Sequence, residues 1–254
     1  MDNIEEFFMS PICVVGTMIG YVVILQVLQQ VMASRPEMGL KAFSAFHNFF
    51  LCIWSLVMAS GVAWNAYHSI VESGWRAIVL DSNAKQWEKF ARKWLFIWYV
   101  SKYYELIDTI ILVLKKKKLI FLHVYHHAIM ILVPWLWLKY QWTFTWYAVF
   151  VNSSVHVLMY YYYFSTIACT APWWKKYVTQ FQILQFLSIF VVIFLWYYLC
   201  KSSSQSWDSF LSDINTPKQC SGSPLIVSFS LFVNTSFLIL FGNFFDKTYA
   251  KKRN

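Results

Sequence analysis

The sequence predicts an all-α polytopic membrane protein, a single domain built as a bundle of seven transmembrane helices. Of its 254 residues, 59% are hydrophobic and 21% aromatic, whereas only 13% are charged. An average soluble domain has roughly 25% charged residues. The apolar residues fall into stretches of about 20, the length that a helix needs to cross the hydrocarbon core of a bilayer. A soluble fold class is therefore excluded.

Seven such stretches follow one another with only short polar segments between most of them. In chain order they cover about 11–32, 44–66, 93–114, 119–138, 143–164, 177–199 and 223–245. We therefore assign 1–254 to one membrane domain with a basic tail at 246–254. The acidic start MDNIEEFFMSP lacks the positive charge of a cleavable signal peptide, so the first span is expected to remain in the protein.

Lysine and arginine in the connections orient the bundle, because cytoplasmic loops are enriched in these residues. An N-terminus outside the cytoplasm puts twelve cations on the cytoplasmic side and eight on the other. The twelve are Arg35, Lys41, Lys115, Lys116, Lys117, Lys118, Lys175, Lys176, Lys247, Lys251, Lys252 and Arg253. The sequence thus favours a luminal N-terminus and a cytoplasmic C-terminus.

The tail YAKKRN has Lys251 and Lys252 at the fourth and third positions from its end. This pattern resembles the dilysine retrieval signal of endoplasmic reticulum membrane proteins, although an ordinary basic flank has the same composition. Cys200 and Cys220 flank the one long non-cytoplasmic loop, and an oxidising lumen would allow a disulfide between them. The sequence leaves this disulfide open.

Spans three to six each carry polar side chains on one face, and such residues are costly in a membrane unless they face a partner or a cavity. With 100° per residue, each set occupies a narrow arc of its helix. The sets are Lys102, Glu105 and Asp108 in span three; His123, His126 and His127 in span four; Asn152, His156, Tyr160 and Tyr163 in span five; and Thr179, Gln182 and Gln185 in span six.

The depths of these residues also agree. At 1.5 Å per residue, Asp108, His126, His156, Gln182 and Gln185 lie roughly 8 to 12 Å from the cytoplasmic end of their spans. We therefore expect one chamber that opens toward the basic side and collects all four polar faces.

Each polar residue also has a structural interpretation. A single buried His or Tyr in a helical bundle is more often an interhelical hydrogen-bonding group than a catalyst. Lys102 with Glu105 has a second interpretation as a neutralised structural pair, and the lysines at the chamber mouth have one as a topology signal. Three clustered histidines beside an intramembrane carboxylate favour function.

Four segments carry a family resemblance: KYYELIDT, FLHVYHH, HVLMYYYY and TQFQILQ. In their order and spacing they resemble the motif series of the ELO-type very-long-chain fatty acid elongases, over about 98–186. The resemblance implies a 3-ketoacyl-CoA synthase of the endoplasmic reticulum that joins acyl-CoA and malonyl-CoA, with release of CO2 and CoA. It further implies an acyl tunnel in the bundle and a cytoplasm-facing active chamber.

The resemblance also implies partners. A ketoacyl-CoA reductase, a hydroxyacyl-CoA dehydratase and an enoyl-CoA reductase would complete the elongation cycle. The sequence leaves a homodimer open, and we expect no nucleic acid, no metal and no cofactor besides the two CoA substrates.

We hypothesise that His126 and His156 lie at the reaction centre, one or both forming an acyl intermediate, since neutral imidazole is a competent nucleophile. His123 and His127 would transfer protons or polarise the malonyl carbonyls, and His123, Asn152 or Gln182 would donate to the enolate oxygen. Asp108, with Glu105, would orient an imidazole. The expected substrate-binding residues are Lys102, Glu105, Asn152, Tyr160, Tyr163, Gln182 and Gln185, with Lys115, Lys116, Lys117, Lys118, Lys175 and Lys176 attracting the CoA phosphates.

Two other functions remain compatible with the histidines. A di-iron desaturase or hydroxylase would need about eight histidines by its own family resemblance, and this chain has six, two of which, His47 and His68, are isolated in the sequence. We call His123, His126 and His127 the histidine box. One metal bound by these three box histidines and His156 is a remote alternative. A seven-span transporter or receptor with a histidine proton relay is the non-enzymatic alternative.

Overall fold

The computed structural model describes residues 3–75, 77–80, 91–142, 144–203 and 223–250, and every regular element in these ranges is helical. The helices are α1 (Asn3–Met9), α2 (Pro11–Ala33), α3 (Lys41–Ser73), α4 (Ala77–Leu80), α5 (Arg92–Leu114), α6 (Phe121–Lys139), α7 (Thr145–Ala168), α8 (Lys175–Ser203) and α9 (Pro224–Phe245). A π-helical turn, Asp246–Ala250, follows α9. Cys220, Lys251 and Lys252 lie outside the described residues, so the retrieval signal predicted at the two lysines stays a prediction. Cys200 is disulfide-bonded.

Each predicted span corresponds to a long helix, but only some of these helices are apolar enough to be recognised as spans. Five meet the length and composition needed to cross a bilayer: Pro11–Ala33, Lys41–Ser73, Phe121–Lys139, Lys175–Cys200 and Pro224–Tyr249. The predicted seven spans are therefore not confirmed at α5 and α7. The physical reason is the polar content of these two helices, including the five charged residues of α5.

Local sequence explains several helix ends. Pro11 and Pro224 occupy the first turns of α2 and α9, where a missing backbone N–H costs nothing. Gly74 ends α3 with φ of 77°, a left-handed conformation that glycine adopts without strain, while its N–H donates to the Ile70 carbonyl. This stop comes several residues after the predicted end of the second span, because the helix continues through a polar turn that hydropathy does not include.

Six helices form a ring, with α2 outside it. Around the ring α5 packs on α6, α6 on α9, α9 on α8, α8 on α7 and α7 on α3, which returns to α5; the α3 and α7 pair has the most extensive contact. α2 packs against α5 and α6, and most of its surface is exposed. The connections after α2, α5 and α7 meet at one end of the bundle, where the Met38 N–H donates to the Leu114 carbonyl. We call this the basic end, because Lys115 to Lys118 and Lys175 lie there.

Tryptophans fill the core toward the opposite end. Trp98 of α5 stacks on Trp137 of α6 with ring centroids 5.9 Å apart, and Trp142 contacts both Trp137 and Trp196 edge to face. All four are at most 9% exposed. Such aromatic pairs contribute about 0.5–1.5 kcal/mol each beyond the area that they bury.

The short helix α1 is joined to this end of the bundle by its backbone. The Tyr99 hydroxyl donates to the Phe8 carbonyl at 2.8 Å, and Trp135 Nε1 donates to the Met9 carbonyl at 2.9 Å. Glu5 adds an ion pair with Arg92. The amino-terminal residues therefore pack against α5 and α6 at this end of the bundle.

Gly61 allows the close approach of α3 to α5, and its replacement by alanine tests this contact. A Cβ at this position would lie 1.9 Å from the Trp94 ring, so the indole or the helix must move. We expect Gly61→Ala to destabilise the protein by about 1–3 kcal/mol, measured as a lower thermal midpoint in detergent. Gly16→Ala on α2 is the matched control, because nothing lies within 4 Å of its Cβ. At Gly16 alanine is the better helix former, so the substitution should raise the thermal midpoint or leave it unchanged. An equal change in the midpoints of the two variants would contradict a special role for Gly61.

Candidate active site

A cavity of about 440 Å³ opens at the basic end of the bundle and receives side chains from all six helices of the ring. Its polar lining comes from Ser44, His47 and Asn48 of α3, Glu105 and Asp108 of α5, the three box histidines of α6, and Asn152, His156, Tyr160, Tyr162, Tyr163 and Thr166 of α7. Thr179, Gln182 and Gln185 come from α8. We call this cavity the chamber. It has the composition and the position that the polar faces and their depths predict.

Most of the predicted site residues meet in the chamber, but not all of them. Its walls include Glu105, Asp108, His123, His126, His127, Asn152, His156, Tyr160, Tyr163, Gln182, Gln185, Lys115, Lys117 and Lys175. Lys102, Lys116, Lys118 and Lys176 do not line it. The functional role of every one of these residues remains a prediction.

The first box histidine is held by a chain of hydroxyl groups that crosses three helices. His123 Nε2 lies 3.0 Å from Thr109 Oγ1, which lies 2.7 Å from the Tyr21 hydroxyl of α2. Neither Thr109 nor Tyr21 is among the residues predicted from the sequence. The signal was present for Thr109, because it ends the KYYELIDT motif one residue after Asp108.

His126 and His127 differ from His123 and His156 because their ring nitrogens have no hydrogen-bond partner among the described residues. The His126 ring packs against the edge of His127, at a centroid distance of 5.4 Å, and against Phe237 of α9 at 5.0 Å. His127 in turn lies 4.4 Å from the ring of His123. The lone pair of a neutral His126 is therefore available to a ligand.

The hydrogen bonds of Asn152 determine the tautomer of His156. Trp98 Nε1 and Lys102 Nζ carry only donors, and both face Asn152 Oδ1, at 3.0 and 3.4 Å. Asn152 Nδ2 must then donate to His156 Nε2 at 3.3 Å. A neutral His156 therefore has its proton on Nδ1, and its Nε2 lone pair is already occupied.

Glu105 lies on the Nδ1 side of His156. Its Oε1 is 3.8 Å from His156 Nδ1 and accepts from Lys102 Nζ at 2.7 Å and from the Ser101 hydroxyl at 3.2 Å. Lys102 and Glu105 are only 2% and 1% exposed, and the ammonium also lies over the Trp98 ring. Glu105 Oε2 has no partner within the described residues. The neutralised pair that the sequence suggests is present, and it also contacts a predicted reaction-centre histidine.

Asp108 has partners on two neighbouring helices. We predicted that it would orient an imidazole at the reaction centre; the imidazole that it contacts is that of His47, whose Nε2 donates to Oδ1, while the Tyr160 hydroxyl donates to Oδ2, both at 2.7 Å. His47 is isolated in the sequence and was not among the predicted site residues, but in the structure it is a partner of Asp108. The available signal was its position near the start of the second span, at the same end of the bundle as the other polar residues.

A second, apolar cavity continues from the chamber toward the tryptophan core. It has a volume of about 70 Å³, and its walls include Met130, Val133, Trp137, Ile189 and Val233. His126, Asn152, Gln185 and Phe186 line both cavities. The junction between the polar and the apolar space is therefore formed partly by His126.

No group of three or more His, Cys, Asp or Glu residues within the described ranges is arranged to hold a metal ion.

Comparison with known proteins gives a consistent result. The family model described as "ELO: GNS1/SUR4 family" matches residues 6–254. "Fatty acid elongase sre1" of Dictyostelium discoideum is 40% identical over 92% of this chain and 82% of its own, and "Fatty acid elongase A" of the same organism is 39% identical over 92% and 81%. Human "Very long chain fatty acid elongase 1" is 30% identical over 95% of this chain and 83% of its own.

The buried ion pair of α5 leads to a stability prediction. Lys102→Met would leave Glu105 buried without its cation, which typically costs about 3–5 kcal/mol. The double variant Lys102→Met with Glu105→Gln removes both charges and should recover much of this loss, measured as the thermal midpoint in detergent. Lys139→Met is the control, because Lys139 also lies over a tryptophan ring, at 4.9 Å, but is exposed. A loss at Lys102 no larger than that at Lys139 would contradict the prediction.

Proposed function

The chain belongs to the ELO family, whose matched relatives are named fatty acid elongases, and we propose that it catalyses the condensing step of fatty acid elongation. In this proposal it is a very-long-chain 3-oxoacyl-CoA synthase, an acyltransferase that joins a long-chain acyl-CoA and malonyl-CoA. The products are 3-oxoacyl-CoA, CO2 and CoA, and no cofactor takes part. Neither the transporter nor the desaturase alternative receives support from the matched relatives.

The junction at His126 carries the proposal. A long-chain acyl-CoA is an apolar chain joined through a thioester to a polar, phosphate-bearing group. The apolar cavity suits the methylene groups next to the thioester and the chamber suits the CoA, so the thioester carbon would lie where the two cavities meet. His126 lines this point with an unoccupied nitrogen lone pair.

In the first half-reaction the neutral imidazole of His126 attacks the thioester carbon. The new C–N bond forms as the C–S bond breaks, and the thiolate of CoA takes the proton that the imidazole releases. The acyl group then rests on the histidine. His156 is less suited to this role, because its Nε2 already accepts from Asn152.

In the second half-reaction malonyl-CoA loses its carboxylate as CO2, and the electron pair of the broken bond becomes an enolate. The enolate carbon attacks the acyl carbon, the C–N bond breaks, and a proton restores neutral His126. We assign proton transfer to His127 and His123. Donors aimed at the enolate oxygen would lower the barrier.

Gln182 is the better candidate for such a donor than Asn152. The amide of Asn152 is engaged at both ends, by Trp98 and Lys102 and by His156. Gln182 Nε2 donates only to the sulfur of Met159 at 3.5 Å, a weak acceptor that a ligand oxygen can replace.

The membrane arrangement follows from the same residues. Lys102, Glu105 and Asp108 in the middle of α5 pair within the bundle, which is how a spanning helix tolerates charged residues. We therefore propose that α5 and α7 also cross the bilayer, giving seven spans with a luminal N-terminus and a cytoplasmic C-terminus. The proposed location is the endoplasmic reticulum, with Lys251 and Lys252 as the retrieval signal.

The proposed product still carries a 3-oxo group. A reductase, a dehydratase and an enoyl reductase would have to act on it before another round of condensation. These enzymes are the proposed functional partners.

Intact-protein mass spectrometry tests the acyl-histidine intermediate. Purified protein incubated with a long-chain acyl-CoA alone should gain the mass of the acyl group and lose it on addition of malonyl-CoA. His126→Ala should abolish the adduct, whereas His68→Ala, an exposed histidine outside the chamber, should retain it. Product without an adduct would exclude the covalent route but leave the condensing function intact. Absence of product with both substrates would contradict the condensing function itself.

The lysines at the chamber mouth provide a matched comparison. Lys115 and Lys117 line the chamber, whereas Lys116 and Lys118 of the same run do not. Replacing the first pair by methionine should lower kcat/KM for acyl-CoA by about three- to tenfold, since each exposed charge contact contributes about 0.2–1 kcal/mol. Steady-state kinetics at two salt concentrations measures this, with Lys116→Met/Lys118→Met as the control. Equal losses in the two pairs would indicate a general surface charge effect.

A further inference from the structure

His47 of α3 is fully buried and yet lines the chamber, on a helix that carries none of the motifs that predicted the site. Its Nε2 lies 2.7 Å from Asp108 Oδ1, and its Nδ1 lies 3.4 Å from the Tyr104 hydroxyl. The His47 ring of α3 also stacks on the Tyr104 ring of α5, with the ring centroids 5.2 Å apart. The imidazole therefore cannot rotate without breaking contacts on two sides.

The direction of these hydrogen bonds follows from the chemistry of the partners. An ionised carboxylate only accepts, so Nε2 of His47 carries the proton and donates it to Asp108. In the neutral ring Nδ1 is then the acceptor, and the Tyr104 hydroxyl donates to it. His47 thus has one defined tautomer.

Asp108 is held at both oxygens by donors from two different helices. His47 comes from α3 and Tyr160 from α7, while Asp108 itself is on α5. The carboxylate side chain retains 16% exposure, toward the chamber that also contains the box histidines. It therefore presents a negative charge in a fixed direction, which stabilises an imidazolium that forms when a box histidine takes a proton.

We propose that His47 is a positioning residue of the elongation reaction, which acts by fixing the Asp108 carboxylate in the chamber wall. This inference rests on the proposed condensing function and adds a residue from α3 to it. His47 does not contact the reacting atoms; its effect passes through Asp108. Glu105 serves the separate pair with Lys102 next to His156.

Two variants separate the hydrogen bond from the bulk of the side chain. His47→Phe keeps a planar ring but has no donor. His47→Gln retains an N–H donor that reaches the position of Nε2. A hydrogen bond to a charged group is worth about 1.5–3 kcal/mol, so His47→Phe should lower kcat by about 10- to 100-fold. His47→Gln should recover most of this rate, and KM for both substrates should stay within about twofold in both variants.

A double-mutant cycle tests whether the effect passes through Asp108. His47→Phe, Asp108→Asn and their combination are compared for kcat in the condensation of long-chain acyl-CoA with labelled malonyl-CoA. The combined variant should be no slower than Asp108→Asn alone, because the second change removes an interaction already lost. Losses that multiply would show that His47 acts independently of Asp108 and would overturn the proposal.

His68→Phe is the control for histidine replacement on the same helix, since His68 is exposed and its ring packs against Trp64 and Tyr67 of the same helix. Thermal midpoints and the yield of monodisperse protein are recorded for every variant. A His47→Phe protein that is less stable but has wild-type kcat per folded molecule would make His47 a structural residue and overturn the proposal.

A second pair keeps the test decisive if His47→Phe does not fold. His47→Asn is polar like His47→Gln but one methylene shorter, so its donor does not reach Asp108. The positioning role requires His47→Gln to be faster, and equal rates would overturn it. Wild-type protein that forms no product would overturn the condensing function and this inference together, whereas active wild type with unaffected His47 variants would overturn this inference alone.

Discussion

The need to satisfy charged and polar groups inside an apolar bundle determines the arrangement of this protein. α5 introduces an ammonium and two carboxylates into a chain that is otherwise dominated by hydrocarbon. Each requires partners, and neighbouring helices supply them: Asn152 from α7 for Lys102, and His47 and Tyr160 for Asp108. The polar face of α5 therefore fixes the neighbours of this helix and the direction in which each neighbour presents its own polar groups.

The sequence was sufficient to predict the long helices and the chamber. Polar residues at helical spacing identified one face on each of spans three to six, and the alternating direction of the chain brought those faces to the same depth. The spans predicted at α5 and α7 are not confirmed by length and composition. Hydropathy averages over a helix and cannot distinguish a polar residue that faces a partner from one that faces lipid. The end of α3 was also misjudged, because it depends on the backbone conformation of Gly74.

Pairing between the polar groups was the least predictable feature. Sequence spacing shows which residues share a face but not which face meets it, so the imidazole that Asp108 would orient could not be identified as that of His47. The tautomer of His156 depends on Asn152, whose orientation depends in turn on Trp98 and Lys102. Such a chain of donors and acceptors crosses helices that are distant in sequence, and only three-dimensional structure connects them.

The size of the chamber has a consequence for the order of events in time. A cavity of about 440 Å³ is within the range of a pocket for one small-molecule ligand, about 300–1,000 Å³. Two CoA groups would compete for the same space. With the acyl group held on His126, free CoA would leave before malonyl-CoA enters, and the protein would alternate between an unloaded and an acylated form. Steady-state turnover would then follow a ping-pong scheme, in which each CoA thioester inhibits the half-reaction of the other.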